Sequence, residues 1–245
     1  MTSSAATGSR APAPRPAGVP VVGFDLDMTL VDSSEGITAT LRAVLGEVGV
    51  RVTAEDTRPY AGVPLELIVA GLAPGTSPEG VAALAARYKE LYPSLGVPGV
   101  QAYPGAAAAL AAPAAHGGRS VVVSAKHAPN VHRVLARAGL DGAVRPEDVA
   151  GDLFAEQKGV RLAEVGATAY VGDHPGDVRA ARVAGAVAVG VTTGAHDAAA
   201  LRGAGADVVL DGLEDFPAWV AAHAADLAGA AVRPAGREGT APGSR

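Results

Sequence analysis

Two aspartates one residue apart, Asp25 and Asp27, stand at the end of a short apolar run, Val21-Val22-Gly23-Phe24, that follows Pro20. In extended backbone, side chains at i and i+2 point to the same side, so both carboxylates address one ligand while Leu26 turns away. An ordinary aspartate has a pKa of about 3.9, which leaves Asp25 an anion near neutrality and available as an oxygen nucleophile. A neighbouring carboxylate raises the pKa of such a group and a bound dication lowers it. An apolar run ending in acids reads as a buried parallel strand, and in an open α/β sheet the ligand crevice lies outside the carboxyl ends of the strands.

The elements that must position this pair follow from hydrophobic spacing. Thr29 to Ser34 has the polarity of a loop. Ile37, Leu41, Val44, Leu45 and Val48 then recur at helical intervals, ending near residues 46–49. Two more helical patterns cover residues 64–72 and 78–91, the second broken by Pro93, Gly96 and Pro98, and no strand alternation interrupts them. Residues 104–115 read as a helix that Pro113 ends early. The β-branched run Ser120-Val121-Val122-Val123-Ser124 reads as a second buried strand, and residues 129–137 as a helix stopped by Gly139. A short strand is expected near Ala143-Val144. Gln157-Lys158-Gly159 precedes a helix over residues 160–165.

Ala169-Tyr170-Val171-Gly172-Asp173 is strand-like, and Pro175, Val178, Ala181, Ala184 and Gly185 outline a helix with a narrow apolar stripe whose first turn holds Asp177. Residues 186–191 and 207–210 complete the strands, and residues 216–225 form a last helix with Phe216 and Trp219 as core anchors.

Asp25-x-Asp27-x-Thr29 resembles the first motif of the haloacid dehalogenase-like (HAD) hydrolases, most of which are magnesium-dependent phosphatases. Ser124, Lys158 and the Gly172-Asp173-x-x-x-Asp177 segment resemble the second, third and fourth motifs, so the likeness spans about residues 20–220. The resemblance implies an α/β fold: a doubly wound, Rossmann-like parallel sheet over residues 19–32 and 104–228, with an inserted α-helical cap over residues 33–103. Ser33 and Tyr103-Pro104-Gly105 would be its hinges, and residues 1–18 and 229–245 disordered tails. It also implies roles. Asp25 is the nucleophile, Asp27 the acid and base, and Thr29 supports that acid. Ser124 and Lys158 bind the phosphoryl group, and Lys158 also orients Asp25. Mg²⁺ is held by Asp25, by Asp27 through its carbonyl, and by Asp173, with Asp177 behind them on water or Lys158.

Departures from the family pattern bear on substrate choice. Met28 stands where relatives commonly have glycine, and Gly159 where they often have proline. In the cap, Arg58, Tyr60 and Glu66 surround a stretch, residues 61–65, that resembles a substrate-facing loop; the bland alternative is a polar helical surface. Lys126 and His127 read as solvated residues before a helix, and His174, with no second histidine at ligand spacing, as a surface residue.

Composition limits the alternatives. The 245 residues are 49% hydrophobic with a net charge of -5 and no cysteine. That fits one compact core with a small accessory domain and excludes thiolate chemistry and Cys-ligated zinc. There is no basic footprint for nucleic acid or an anionic membrane surface, residues 1–18 lack the apolar stretch of a secretory signal and so read as a poor one, and no apolar run is long enough to span a bilayer. The expectation is a cytoplasmic, Mg²⁺-dependent phosphatase acting on a small phosphorylated metabolite of phosphoglycolate or sugar-phosphate type. The oligomeric state is not specified. Two alternatives stay open: a phosphomutase of the same fold, and a non-catalytic binding module. Dehalogenation is disfavoured because it needs no acid at Asp27.

Overall fold

The structure is a computed structural model that describes residues 18–60 and 62–230. The expected tails fall almost wholly outside the described residues. In chain order, β1 (Val21–Phe24) and β2 (Val31–Asp32) lead into α1 (Ser34–Gly46), α2 (Ala54–Thr57), α3 (Leu65–Leu72) and α4 (Pro78–Leu95). Then come β3 (Gln101–Ala102), α5 (Ala106–Ala111), β4 (Arg119–Val123), α6 (Ala128–Arg137) and β5 (Val149–Ala150). The chain continues through α7 (Glu156–Val165), β6 (Ala169–Gly172), α8 (Pro175–Ala184), β7 (Val187–Val191), α9 (Ala198–Gly203), β8 (Val208–Leu210) and α10 (Phe216–Ala230).

Six strands form one sheet in the order β5-β4-β1-β6-β7-β8, and every pairing is parallel. Successive residues of each strand are buried on opposite faces. Val21, Val121, Val123 and Tyr170 pack with Leu162, Val178 and Ala181 of α7 and α8, whereas Val22, Phe24, Val122 and Val171 pack with α5, α6 and α10. Burial on both faces is why these strands read as continuous apolar runs instead of alternating ones. Phe24 and Phe216 meet edge to face with ring centroids 5.2 Å apart, so Phe216 is the anchor expected of it. The fold is a doubly wound α/β sheet, and the chain reverses its direction of travel at β1: β4 and β5 lie to one side, β6 to β8 to the other. Such a reversal point is where ligands bind in this class of sheet.

The helices α1 to α4 form an insertion whose buried side chains Leu41, Val44, Leu45, Val69 and Tyr92 are continuous with one face of the sheet. Both chain crossings into it are tied together. Residues expected as loop form β2, which pairs antiparallel with β3 through Val31↔Ala102 and Asp32↔Gln101. Two residues per strand carry too little pattern to be seen in sequence.

Other boundaries also moved. Helix α4 runs through Pro93 to Leu95, because the Gly96 N–H bonds the Tyr92 carbonyl and the ladder resumes beyond the residue that lacks a donor. Val48, counted in the α1 stripe, lies past the helix end and is exposed. The strand expected at Ala143-Val144 is instead β5, at Val149–Ala150, where Val149 pairs with Val122. Helix α7 begins at Glu156, so Lys158 sits inside its first turn. Among the described residues no helix is long and apolar enough to cross a membrane.

Candidate active site

Three neighbouring parallel strands deliver the site. Phe24 pairs with Val122 on one side and Val171 on the other, so the residues that follow β1, β4 and β6 emerge at one edge of the sheet. Those residues include Asp25, Ser124 and Asp173. The Asp25 N–H still bonds the Val171 carbonyl at 2.9 Å, which fixes its backbone as an extension of the strand. Beyond it the chain turns sharply. Met28 holds a left-handed φ of 60°, a conformation that costs a non-glycine residue about 1–2 kcal/mol. Thr193 offsets the strain by donating its hydroxyl to the Met28 carbonyl.

Asp25, Asp173 and Asp177 bring one carboxylate oxygen each to within 4.8 Å of one another, and all three are buried. Lys158, 1% exposed, lies against two of them, 3.0 Å from Asp25 Oδ1 and 2.7 Å from Asp177 Oδ1. The other Asp177 oxygen accepts the His174 N–H, closing a capping box at the start of α8. Asp177 therefore fixes both the helix and the lysine. Thr29, expected to serve Asp27, instead donates to Asp173 Oδ1 at 3.0 Å.

Two glycines make this packing possible. A Cβ at Gly194 would lie on the Asp173 carboxylate, and one at Gly159 would meet Val183 of α8 at 2.5 Å. The second accounts for glycine after Lys158: α7 and α8 approach too closely for a larger residue.

The charges do not balance on this side of the loop. Three buried carboxylates face one ammonium, and such anions are costly to keep without a further cation. Burial, with Asp177 and Asp27 adding to it against the opposing pull of Lys158, pushes Asp25 up to about 7. Burial and the neighbouring carboxylates also hold Asp173 well above the usual range. Asp25 Oδ1 makes no hydrogen bond but lies 3.0 Å from the Lys158 ammonium. Buried carboxylate oxygens in surplus over that ammonium fit a hard divalent cation such as Mg²⁺. Lys158 itself stays charged: burial pulls it down, but Asp177 and Asp25 outweigh that.

Asp27 belongs to a different cluster. Its Oδ1 accepts the Ser33 hydroxyl at 2.5 Å and its Oδ2 lies 3.0 Å from the Lys126 ammonium. The expectation that Lys126 is solvated is thus wrong: its side chain is 7% exposed and its ammonium sits 4.2 Å over the Tyr92 ring of α4. The insertion covers the position, and nothing local in sequence reveals that cover. His127 is partly exposed, with Nδ1 3.2 Å from an Asp152 carboxylate oxygen. His174 is not a free surface residue either. Its Nδ1 accepts the Gly176 N–H at 2.8 Å, its ring meets His196 edge to face, and burial lowers it to about 4, so it is neutral.

A cavity of about 340 Å³ opens between sheet edge and insertion, lined by Asp27, Ser124, Lys126, Tyr60, Glu66 and Tyr88 among others. Arg58 is on the wall of a separate cavity of about 700 Å³ beside Met28 and Thr193. Of the three insertion residues singled out in sequence, Tyr60 and Glu66 thus share a wall with Asp27, and Arg58 does not. Ser33, Tyr88, Tyr92 and Gly194 escape a reading of motifs. Ser33 offered a faint signal in being a hydroxyl six residues past Asp27 on the far side of a turn.

The family described as haloacid dehalogenase-like hydrolase matches residues 22–182. Solved structures share the fold. A protein of Clostridium acetobutylicum described as a predicted phosphatase is 21% identical, with a TM-score of 0.73 over 84% of this chain and 100% of its own. A predicted phosphoglycolate phosphatase of Haemophilus somnus is 19% identical, with a TM-score of 0.71 over 82% of this chain and 98% of its own. A HAD family hydrolase of Deinococcus radiodurans, solved with bound phosphate and sodium, is 25% identical, with a TM-score of 0.60 over 86% of this chain and 98% of its own. No curated protein sequence matches the chain.

Proposed function

The chain belongs to the haloacid dehalogenase-like hydrolases, and from that premise we propose that it is a Mg²⁺-dependent phosphatase acting on a small phosphate monoester through an aspartyl phosphate on Asp25. The observation that carries the reading is the convergence of Asp25, Asp173 and Asp177 within 4.8 Å around a single buried lysine, with Asp27 held apart from them. Phosphoryl transfer asks mainly for positioning and charge neutralisation, and this arrangement offers both.

Mg²⁺ would be held by the Asp25 carboxylate, the Asp27 carbonyl and Asp173, with Asp177 behind them. When bound it supplies charge neutralisation for the transferring phosphoryl group and keeps Asp25 ionised. In the first step an Asp25 carboxylate oxygen bonds to phosphorus as the ester P–O bond breaks, and Asp27 gives its proton to the departing alkoxide. In the second, Asp27 takes a proton from water, whose oxygen attacks the phosphorus. The Asp25 acyl oxygen then leaves, and inorganic phosphate and the free carboxylate are restored. The sum is ester plus water to alcohol plus phosphate. Ser124, Lys158 and the backbone amides after Asp25 bind the phosphoryl oxygens. The insertion acts as a cap that encloses a small substrate and excludes bulk water.

Purified protein with Mg²⁺ is expected to release phosphate from p-nitrophenyl phosphate or from a glycolate or sugar phosphate. Asp25→Asn is expected to lower the rate by about 10⁴-fold or more, since it removes the nucleophile. Retained turnover in that variant would refute the mechanism. Return of the phosphate to substrate, with no net release, would mark a mutase.

A further inference from the structure

Six acidic and basic side chains line the cavity between sheet edge and insertion, and they face one another in pairs. Lys126 lies 3.0 Å from Asp27, Lys89 lies 3.2 Å from Glu66, and His127 Nδ1 lies 3.2 Å from an Asp152 oxygen. Lys126 is closed off further: Tyr92, stacked on Tyr88 with ring centroids 5.4 Å apart, covers its ammonium. Among the described residues that line this cavity, none offers a cation without a carboxylate already against it. Arg58 opens on the other cavity.

The cavity is where the alcohol half of an ester has to lie. Asp27 must come within about 3 Å of the ester oxygen to protonate it, and Asp27 is on this wall while Asp25 is not. With the phosphoryl group at Asp25, the carbon side of the ester extends into the cavity. What it meets there, apart from the paired charges, is apolar: Ile37, Val63, Leu65 and Ile68 from the insertion, Leu153 and Phe154 from the core. An anion placed against such a wall gives up its hydration and gains no counter-ion, whereas an apolar body releases water from a surface that is itself apolar. The volume of about 340 Å³ is at the low end of the range, about 300–1,000 Å³, of apolar-lined pockets that bury most of an organic ligand.

We propose that this cavity selects an uncharged leaving alcohol with an apolar body about the size of one ring, and that its paired charges turn away a second anion. The inference rests on the phosphatase reading and gives it a substrate class other than the phosphoglycolate or sugar-phosphate type: the phosphate monoester of an apolar alcohol.

Four esters of alkyl alcohols test it with Mg²⁺ present: ethyl phosphate, benzyl phosphate, glycerol 1-phosphate and 2-phosphoglycolate. Wild-type protein is expected to turn over benzyl phosphate with a kcat/KM about tenfold or more above that of each of the other three. Leu65→Ala shortens the apolar wall and is expected to lower the benzyl-to-ethyl ratio by about threefold or more, mainly through KM. Glu66→Gln leaves the Lys89 ammonium without its carboxylate and is expected to raise the phosphoglycolate-to-ethyl ratio by about threefold or more. The Glu66 side chain is 52% exposed, so this variant keeps the fold and the test stays readable should Leu65→Ala disturb the insertion. Failure of benzyl phosphate to lead the four, or a phosphoglycolate-to-ethyl ratio that Glu66→Gln does not move, would overturn the proposal. Absence of turnover on all four and on p-nitrophenyl phosphate would instead overturn the phosphatase reading itself.

Discussion

Asp25 and Asp27 are two residues apart, yet each is paired to a different buried lysine, and the two pairs are built differently. Lys158 comes from α7 and reaches Asp25 and Asp177 inside the core, where every partner lies at a strand end or in a first helical turn. Lys126 comes from the loop after β4 and reaches Asp27 beneath Tyr92 of α4, with Ser33, just before α1, on the other carboxylate oxygen. The first half, held wholly inside the core, is the rigid one, and the second takes its cover, Tyr92, from the insertion.

The contrast can be broken at Lys158 first. Lys158→Met is expected to lower kcat/KM by about 10²–10³-fold on every phosphate ester alike, by initial-rate measurement, because a core cation is lost from the transferring group. A loss that varied with the leaving group would erase the distinction from Lys126. Ser33→Ala removes one short hydrogen bond to Asp27 and is expected to cost about tenfold in kcat with little change in KM, steeper for poor leaving groups than for p-nitrophenolate.

Metal-stripped protein sharpens the same comparison. Asp25, pushed up to about 7, and Asp173, also raised, hold protons in the folded state that the unfolded chain releases near pH 4. Their contribution to stability is full below about pH 4 and is lost as pH climbs toward 7. In EDTA the melting temperature is expected to fall between pH 5 and 8, and added Mg²⁺ is expected to raise it more at pH 8 than at pH 5. A melting temperature that rises steadily over that range in EDTA would contradict the charge surplus on the Asp25 side. The smallest effect is expected at the turn joining the two halves. Met28→Gly relieves a left-handed residue and should stabilise the protein by about 1 kcal/mol, or about 2–4 °C, in thermal unfolding.

The rigid half is also the half that was legible. Asp25, Ser124, Lys158, Asp173 and Asp177 each sit where an apolar run stops or a helix begins, and there the resemblance to the family's four motifs picks them out. The parallel strands and most helices follow from the same spacing, and their order along the chain was right. The errors cluster where pattern is short or partners are remote. The strands β2 and β3 have two residues each and exist because they pair with one another. Lys126 looked solvated because its cover, Tyr92, lies 34 positions earlier in the chain. The family resemblance gives Thr29 to Asp27, yet its hydroxyl donates to Asp173 beyond the left-handed turn at Met28.

By itself the sequence determined the parallel strands, most helices and the acids at the strand ends, and its resemblance to the haloacid dehalogenase-like hydrolases implied a doubly wound α/β sheet with a helical insertion and phosphoryl chemistry at one edge of it. Periodicity and strand-end residues are local properties, and they survive being read in one dimension. Only the tertiary structure decided which lysine serves which aspartate, that Ser33 and the Tyr88–Tyr92 pair belong to the acid, and that three carboxylates share one ammonium. Those are pairings across long stretches of chain, set by burial and charge in a packed interior, and no spacing rule encodes them.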